Sequence, residues 1–255
     1  MSSGANVWKS TGVAILLVSM MILSSWISVL TDVEMLQKDR GPMWINATQS
    51  VGYDTQTNSS LPNNTYGGSQ NFMLGDSSVT NARLLMNVAL TTAAGGPMPS
   101  TAVVSEALLS IHCVRYPNAP SERTLVYPAR LLTGFDEANA THNLNDTNSN
   151  WSVGGADDEG VDRGAWEPPT QSNTASGWVD LNVTAIVQQA LADGDTNFSV
   201  VISAVGTPLV CKSTENPTTS LRPELDLTYT IQATPAFGSL QVTSPEDGEI
   251  LADPT

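Results

Sequence analysis

Asp157, Asp158, Glu159 and Asp162 fall within six residues of one another, with Gly160 among them. Carboxylate oxygens on a flexible, glycine-containing segment suit a hard cation, and Ca2+ is the ion they point to. Their spacing is not that of an EF-hand loop. The alternative is an exposed acidic loop that serves only the solvated surface. Trp151 and Trp166 flank this stretch, while Tyr66 and Trp178 stand elsewhere. An aromatic ring stacks on the apolar face of a pyranose, and neighbouring Asp, Asn and Arg side chains bond its hydroxyls. Trp166, between Ala165 and Glu167-Pro168-Pro169, is the aromatic expected at the surface. Tyr66, Trp151, His142 and Arg163 are its candidate companions in a sugar-binding site.

Catalysis finds no matching pattern. The chain has two histidines, His112 and His142, and no GxSxG or HExxH context accompanies them. Asp157-Asp158 or Glu137 could imitate the carboxylate pair of a glycosidase. In a Gly-rich loop of an acidic protein such residues read first as solvated charge. No catalytic residue is assigned, the chain is expected not to be an enzyme, and no cofactor is required beyond the candidate Ca2+. Glu215 and Arg222 read as a partly buried structural pair.

The two cysteines, Cys113 and Cys211, have no CxxC or Cys/His spacing that would suggest zinc. Outside the cell they can form a disulfide. Such a bond would close a loop worth on the order of 4–5 kcal/mol in the chain-entropy model. The alternative is two separate buried thiols acting as small apolar residues.

What would position these groups is an exported domain. Residues 12–30 read GVAILLVSMMILSSWISVL, 19 residues without a charge. At about 1.5 Å per residue they just cross a hydrocarbon core. Lys9 precedes them and Asp32 and Glu34 follow, which places the N-terminus inside and the remainder outside. The alternative is a cleaved signal peptide and secretion; the end of the stretch offers no clean small-x-small site. Eight Asn-x-Ser/Thr sequons, at Asn46, Asn58, Asn63, Asn139, Asn145, Asn150, Asn182 and Asn197, suit a glycoprotein, although chance supplies many in such a composition. The formal charge is −15, and all 25 acidic residues lie after Leu30. A surface this acidic repels nucleic acid, so none is expected as a partner.

The elements read as short strands. Strands are expected at residues 43–48, 83–90, 107–114, 124–132, 198–205, 209–212 and 224–230. Ala107, Leu109, Ile111 and Cys113 share an inward face by period two, so His112 points outward. Leu125, Tyr127, Ala129 and Leu131 share another face, as do Leu225, Leu227 and Tyr229. Residues 51–64 read as a polar loop and 135–174 as a long, mostly irregular stretch of the kind that carries function. Val183, Ile186, Val187, Ala190 and Leu191 form one amphipathic helical stripe, with Asn182 or Thr184 to cap it and Gly194 to end it. The fold expected is all-β: an antiparallel, jelly-roll-like β-sandwich with one short helix, preceded by one transmembrane helix.

Five patches extend this reading: Asn64-Thr65-Tyr66-Gly67-Gly68-Ser69 with Leu74-Gly75; Arg83-Leu84-Leu85-Met86-Asn87-Val88; Ser105-Glu106-Ala107-Leu108-Leu109-Ser110-Ile111; Asn150-Trp151-Ser152-Val153-Gly154-Gly155-Ala156 with Asp162; and Trp178-Val179-Asp180-Leu181-Asn182-Val183-Thr184 with Glu215 and Arg222-Pro223-Glu224-Leu225. Their order over residues 44–230 resembles the DNRLRE domain family, extracellular β-sandwich modules related to disaggregatase-associated and carbohydrate-binding modules. His142 departs from it, standing where the family usually has Trp. The resemblance implies core or loop-anchoring roles for Trp151 and Trp178, and a non-catalytic cell-surface module that binds carbohydrate or mediates adhesion. Its partners would be the membrane, through the anchor, and a polysaccharide or surface glycan. The alternatives are a structural spacer that projects distal domains and an accessory module of a larger extracellular enzyme. The organisation expected is a cytoplasmic segment 1–11, the anchor 12–30, a juxtamembrane linker 31–42, the sandwich 43–232, and a linker with the start of a truncated Ig-like domain over 233–255.

Overall fold

The fourteen-residue strand β5 (Ala102–Arg115) organises the first of two facing sheets. The computed structural model describes residues 43–76, 81–117, 123–172 and 176–231. The expected cytoplasmic segment 1–11, the apolar segment 12–30, the juxtamembrane linker 31–42 and the expected linker and Ig-like start over 233–255 lie outside them. Among the described residues no helix is long and apolar enough to cross a membrane.

One edge of β5 carries β12 (Glu224–Ile231) and then β11 (Leu209–Lys212); the other carries β9 (Ser176–Asn182). β1 (Met43–Ser50) lies outside β12, and β3 (Asn71–Asp76) outside β11. The second sheet runs β2 (Tyr53–Asn58), β4 (Asn81–Ala89), β10 (Asn197–Gly206) and β6 (Thr124–Leu131). Two short strands, β7 (Arg163–Trp166) and β8 (Thr170–Ser172), extend β6. These ladders are antiparallel, apart from one parallel bridge between Val205 and Asp76. β3 joins the sheets: Asn71 to Leu74 pair with β11, whereas Gly75 and Asp76 pair with β4. The switch falls at Gly75, whose φ of 142° and 3.1 Å clearance to the Pro208 Cα disfavour any side chain.

The alternation expected from sequence builds the shared core. Ala107, Leu109, Ile111 and Cys113 face inward from β5, and Leu225, Leu227 and Tyr229 from β12. Leu84, Met86 and Val88 meet them from β4, and Val200, Ile202 and Ala204 from β10. A helix, α1 (Thr184–Ala192), buries Ile186, Val187 and Ala190 against this core. Its N-cap is Val183, which makes no side-chain cap. Asn182 instead accepts the Thr184 N–H at 3.0 Å, and the Thr184 hydroxyl accepts the Ala107 N–H at 2.9 Å, so α1 is stitched to β5. Gly194, with φ 85°, follows the last turn.

Two expectations change. Residues 53–58 are not loop but β2, a strand with buried Asp54, Thr55, Gln56, Thr57 and Asn58. Polar side chains gave it no apolar alternation, yet it pairs with β4 along its whole length. The face shared by Ala129 and Leu131 looks away from the shared core, while Val126 points into it. That outer face is covered by residues 132–162, which fold into a lobe rather than an open loop. Trp151 and Ala156 of the lobe bury Leu85, Ala129, Leu131 and Val201 in a second core.

Candidate functional site

The acidic residues of the lobe do not converge on one point. Asp157 pairs with Arg83 at 2.8 Å and with Arg163 at 3.4 Å, and Arg163 also reaches Glu159 at 3.1 Å. Burial pushes the Asp157 carboxyl up, but hydrogen bonds and charge from Arg83 and then Arg163 outweigh it, so it sits below the ordinary carboxylate value. Asp162 is buried and accepts the Ser152 and Val153 N–H groups, each at 3.0 Å. Asp158 accepts the Ser152 hydroxyl. Arginines and backbone donors thus do the work a cation would do, and the four residues read as the lobe's own fastening.

The sugar-site candidates are distributed differently from expectation. Trp166 is half-buried, with the Arg163 guanidinium 4.3 Å and that of Arg83 5.6 Å from its ring centroid. Such cation–π contacts cover ring surface that a sugar would need. Trp151 is buried and donates its Nε1 proton to the Thr141 carbonyl at 3.0 Å, an anchor of the lobe. His142 packs against Gly154 and Gly155, where a Cβ would come within 2.9 Å of its ring. Burial, then the Arg83 charge, lowers its pKa below the ordinary histidine value. Trp151, His142, Arg163 and Trp166 therefore belong to the lobe and the face beneath it, whereas Tyr66 packs against the main core. Asn58 and Asn145, two of the sequons, are buried and bonded to Ser60 N and Gly134 O.

Among the described residues Trp44, Tyr116 and Trp178 are the exposed aromatics, and Trp178 is the one held against β5, the central strand of the first sheet. Its resemblance-based role as an anchor is not what β9 gives it: Val179 and Leu181 are buried, and Trp178, Asp180 and Asn182 project outward. Trp178 is 40% exposed and stands opposite His112, edge to face, with centroids 5.4 Å apart. His112 thus points outward as its alternation requires. Beside the pair, the Ser110 hydroxyl donates to Asp180 at 2.7 Å. Across β12 the Thr48 hydroxyl donates to Asp226, and the Thr228 hydroxyl to Asn46 at 3.1 Å. The outer face of the first sheet therefore presents Trp178 on β9 and, on β1, Trp44, which alternates with the inward Ile45 and Ala47, among hydroxyl, amide and carboxylate groups.

A second constellation joins residues that are distant in sequence. Asp54, Glu137 and Glu215 bring carboxylate oxygens within 4.8 Å of one another, and among the described residues they are the one acidic group with the proximity of metal ligands. Asp54, on β2, is fully buried. Its N–H donates to Glu137 at 3.0 Å, its carboxylate accepts the Thr214 N–H at 2.9 Å, and the Thr214 hydroxyl lies 2.7 Å from its other oxygen. Burial pushes the Asp54 carboxyl to about 7; the two Thr214 hydrogen bonds oppose the rise and the Glu215 charge adds to it. Glu137 is also raised, by burial and by Glu215 and Asp136, against the pull of the Asp54 N–H. Chemically the trio can hold a proton or a hard cation. The pairing expected of Glu215 and Arg222 gives way to other bonds: Glu215 accepts from Thr214, and Arg222 donates to the Asn216 carbonyl. At the far end of the same connection, Cys211 and Cys113 stand opposite each other in adjacent strands and are joined as a disulfide.

No protein-family profile matches the chain, and no characterised protein matches it in sequence. Among solved structures, a cleaved adhesin domain of Lys-gingipain from Porphyromonas gingivalis is similar at 12% identity and a TM-score of 0.16, covering 76% of this chain and 100% of that one. A structure of infectious bursal disease virus is similar at 12% identity and a TM-score of 0.15, covering 77% of this chain and 38% of that one. Scores this low carry no argument about fold or function.

Proposed function

We propose that this chain is a non-catalytic cell-surface module of jelly-roll type, held on an N-terminal membrane anchor, that binds carbohydrate on the outer face of its first sheet. Trp178 carries the reading. It is an exposed tryptophan on a regular strand, fixed at its edge by His112 and bordered by Asp180, Ser110 and Asn182. A rigid ring set among hydrogen-bonding groups suits the two faces of a sugar, one apolar and one rich in hydroxyls. Because Asp180, Asp226 and Glu224 lie on this face or its border, neutral glycans fit better than acidic ones.

A glycan array probed with the full chain tests this. Binding to a neutral glycan should be saturable, and Trp178→Ala should weaken it by about tenfold or more. The melting temperature should barely change, since an exposed side chain contributes little to stability. Absence of binding, or binding indifferent to Trp178→Ala, overturns the proposal and leaves a structural spacer.

A further inference from the structure

The Asp54–Glu137–Glu215 cluster has an imbalance that hydrogen-bond counting exposes. The Thr214 hydroxyl lies 2.7 Å from an Asp54 oxygen and 2.9 Å from a Glu215 oxygen. A hydroxyl has one proton and donates to one of them. The other contact would then set an oxygen lone pair against a carboxylate, unless that carboxyl carries its own proton. Among the described residues no basic side chain pairs with the cluster. Glu137, with Asp136 beside it, faces Asp54 from the lobe, Glu215 faces it from the β11–β12 connection, and Tyr53 adjoins it on β2. β4 sets Met86 opposite. The basic residues of that region are engaged elsewhere, Arg222 with Asn216 and Lys212 with Asn71.

We propose that this cluster retains one proton in the folded protein and acts as a pH-sensitive latch that holds the lobe and the β11–β12 connection against β2. In the latched state the Asp54 carboxyl donates to the Thr214 hydroxyl, and the Thr214 hydroxyl donates to Glu215. Loss of the extra proton to water leaves three carboxylates in mutual repulsion around a buried site. The three come from three separate stretches of chain, so the strain is relieved by moving those stretches apart. Glu137 is the lobe's member, and its bond to the Asp54 N–H makes the lobe the segment to release.

The direction of the effect follows from linkage. The Asp54 carboxyl is raised from an ordinary 3.8 to about 7. The folded state therefore binds more protons than the unfolded state across that window, and stability falls as pH rises through it. The latch is closed in mild acid and loosens above neutrality. This is opposite to the usual behaviour of a salt-bridged carboxylate such as Asp157.

Carboxyl 13C NMR of the full chain, titrated with divalent cations chelated, reads the proton directly. One carboxyl should titrate near neutrality, and that titration should vanish in Asp54→Asn. Amide hydrogen exchange reads the latch. Corrected for the intrinsic rate, exchange in residues 133–162 should accelerate about tenfold or more on passing from mild acid to mild alkali in the wild type, and stay flat in Asp54→Asn. Should Asp54→Asn fold poorly, Glu215→Gln at a half-buried position serves instead, and should move the Asp54 titration toward the ordinary carboxylate range. Ionisation of every carboxyl in the usual acid range, or an exchange profile that neither substitution alters, overturns the proposal.

Discussion

Replacing Cys113 and Cys211 together by alanine will lower the stability of the domain by about 4–5 kcal/mol and its melting temperature by about 10 °C or more. The two cysteines are 98 residues apart in sequence and both are buried. In the chain-entropy model a cross-link over that span removes about 4.7 kcal/mol of freedom from the unfolded chain. The folded state loses little by comparison, since alanine leaves a small void at each site. The bond also secures a weak element: β11 has four residues yet bridges β5 and β3, and so helps close the first sheet. Thr214 and Glu215 follow β11 almost at once, so a loosened β11 also loosens the carboxylate cluster. Thermal melts of wild type and double variant, followed by circular dichroism, measure the difference. A shift of less than about 3 °C would mean that the connection is held by its packing rather than by the sulfur bridge.

How much of this was legible in the sequence depended on whether a residue's environment is set by its neighbours along the chain. In β5, Ala107, Leu109, Ile111 and Cys113 alternate with outward residues, and in α1, Ile186, Val187 and Ala190 recur at helical spacing; both patterns survive in the fold. β2 had no such pattern. Tyr53-Asp54-Thr55-Gln56-Thr57-Asn58 is polar throughout because one face lies under the lobe and the other at the sandwich edge, where Gln56 accepts the Met73 N–H. Trp178 shows where a resemblance misleads. The family motif implied an anchoring role, whereas in β9 it alternates with buried Val179 and Leu181 and projects outward. The carboxylate cluster had no local signal, because Asp54 meets Glu137 across 83 positions and Thr214 across 160. The acidic run after Trp151 meets the same limit from the other side. Asp157 and Glu159 looked like open ligands because Arg83, which neutralises Asp157, lies far away on β4.

Trp151→Ala will cost about 3–5 kcal/mol, and the loss will be confined to the lobe. Trp151 fills the second core against Leu85, Ala129, Leu131, Ala156 and Val201. None of these residues belongs to the main core between the sheets. Removing the indole deletes the largest side chain of that layer and leaves the Thr141 carbonyl without its Nε1 donor. What remains between the lobe and the sheet is polar: the ion pair of Arg83 with Asp157, which is itself about two-fifths exposed and so weak, and the bond from the Asp54 N–H to Glu137. The sandwich keeps its shared core and its disulfide, so far-ultraviolet circular dichroism should change little. Hydrogen exchange should instead rise across residues 133–162, and limited proteolysis should cut the lobe first. A single cooperative melt at a much lower temperature, with exchange raised equally in β5 and β12, would show that lobe and sandwich fold as one unit. Protection lost in the lobe alone would identify it as a separately opening layer, which is the condition the Asp54 latch requires in order to act on it without unfolding the rest.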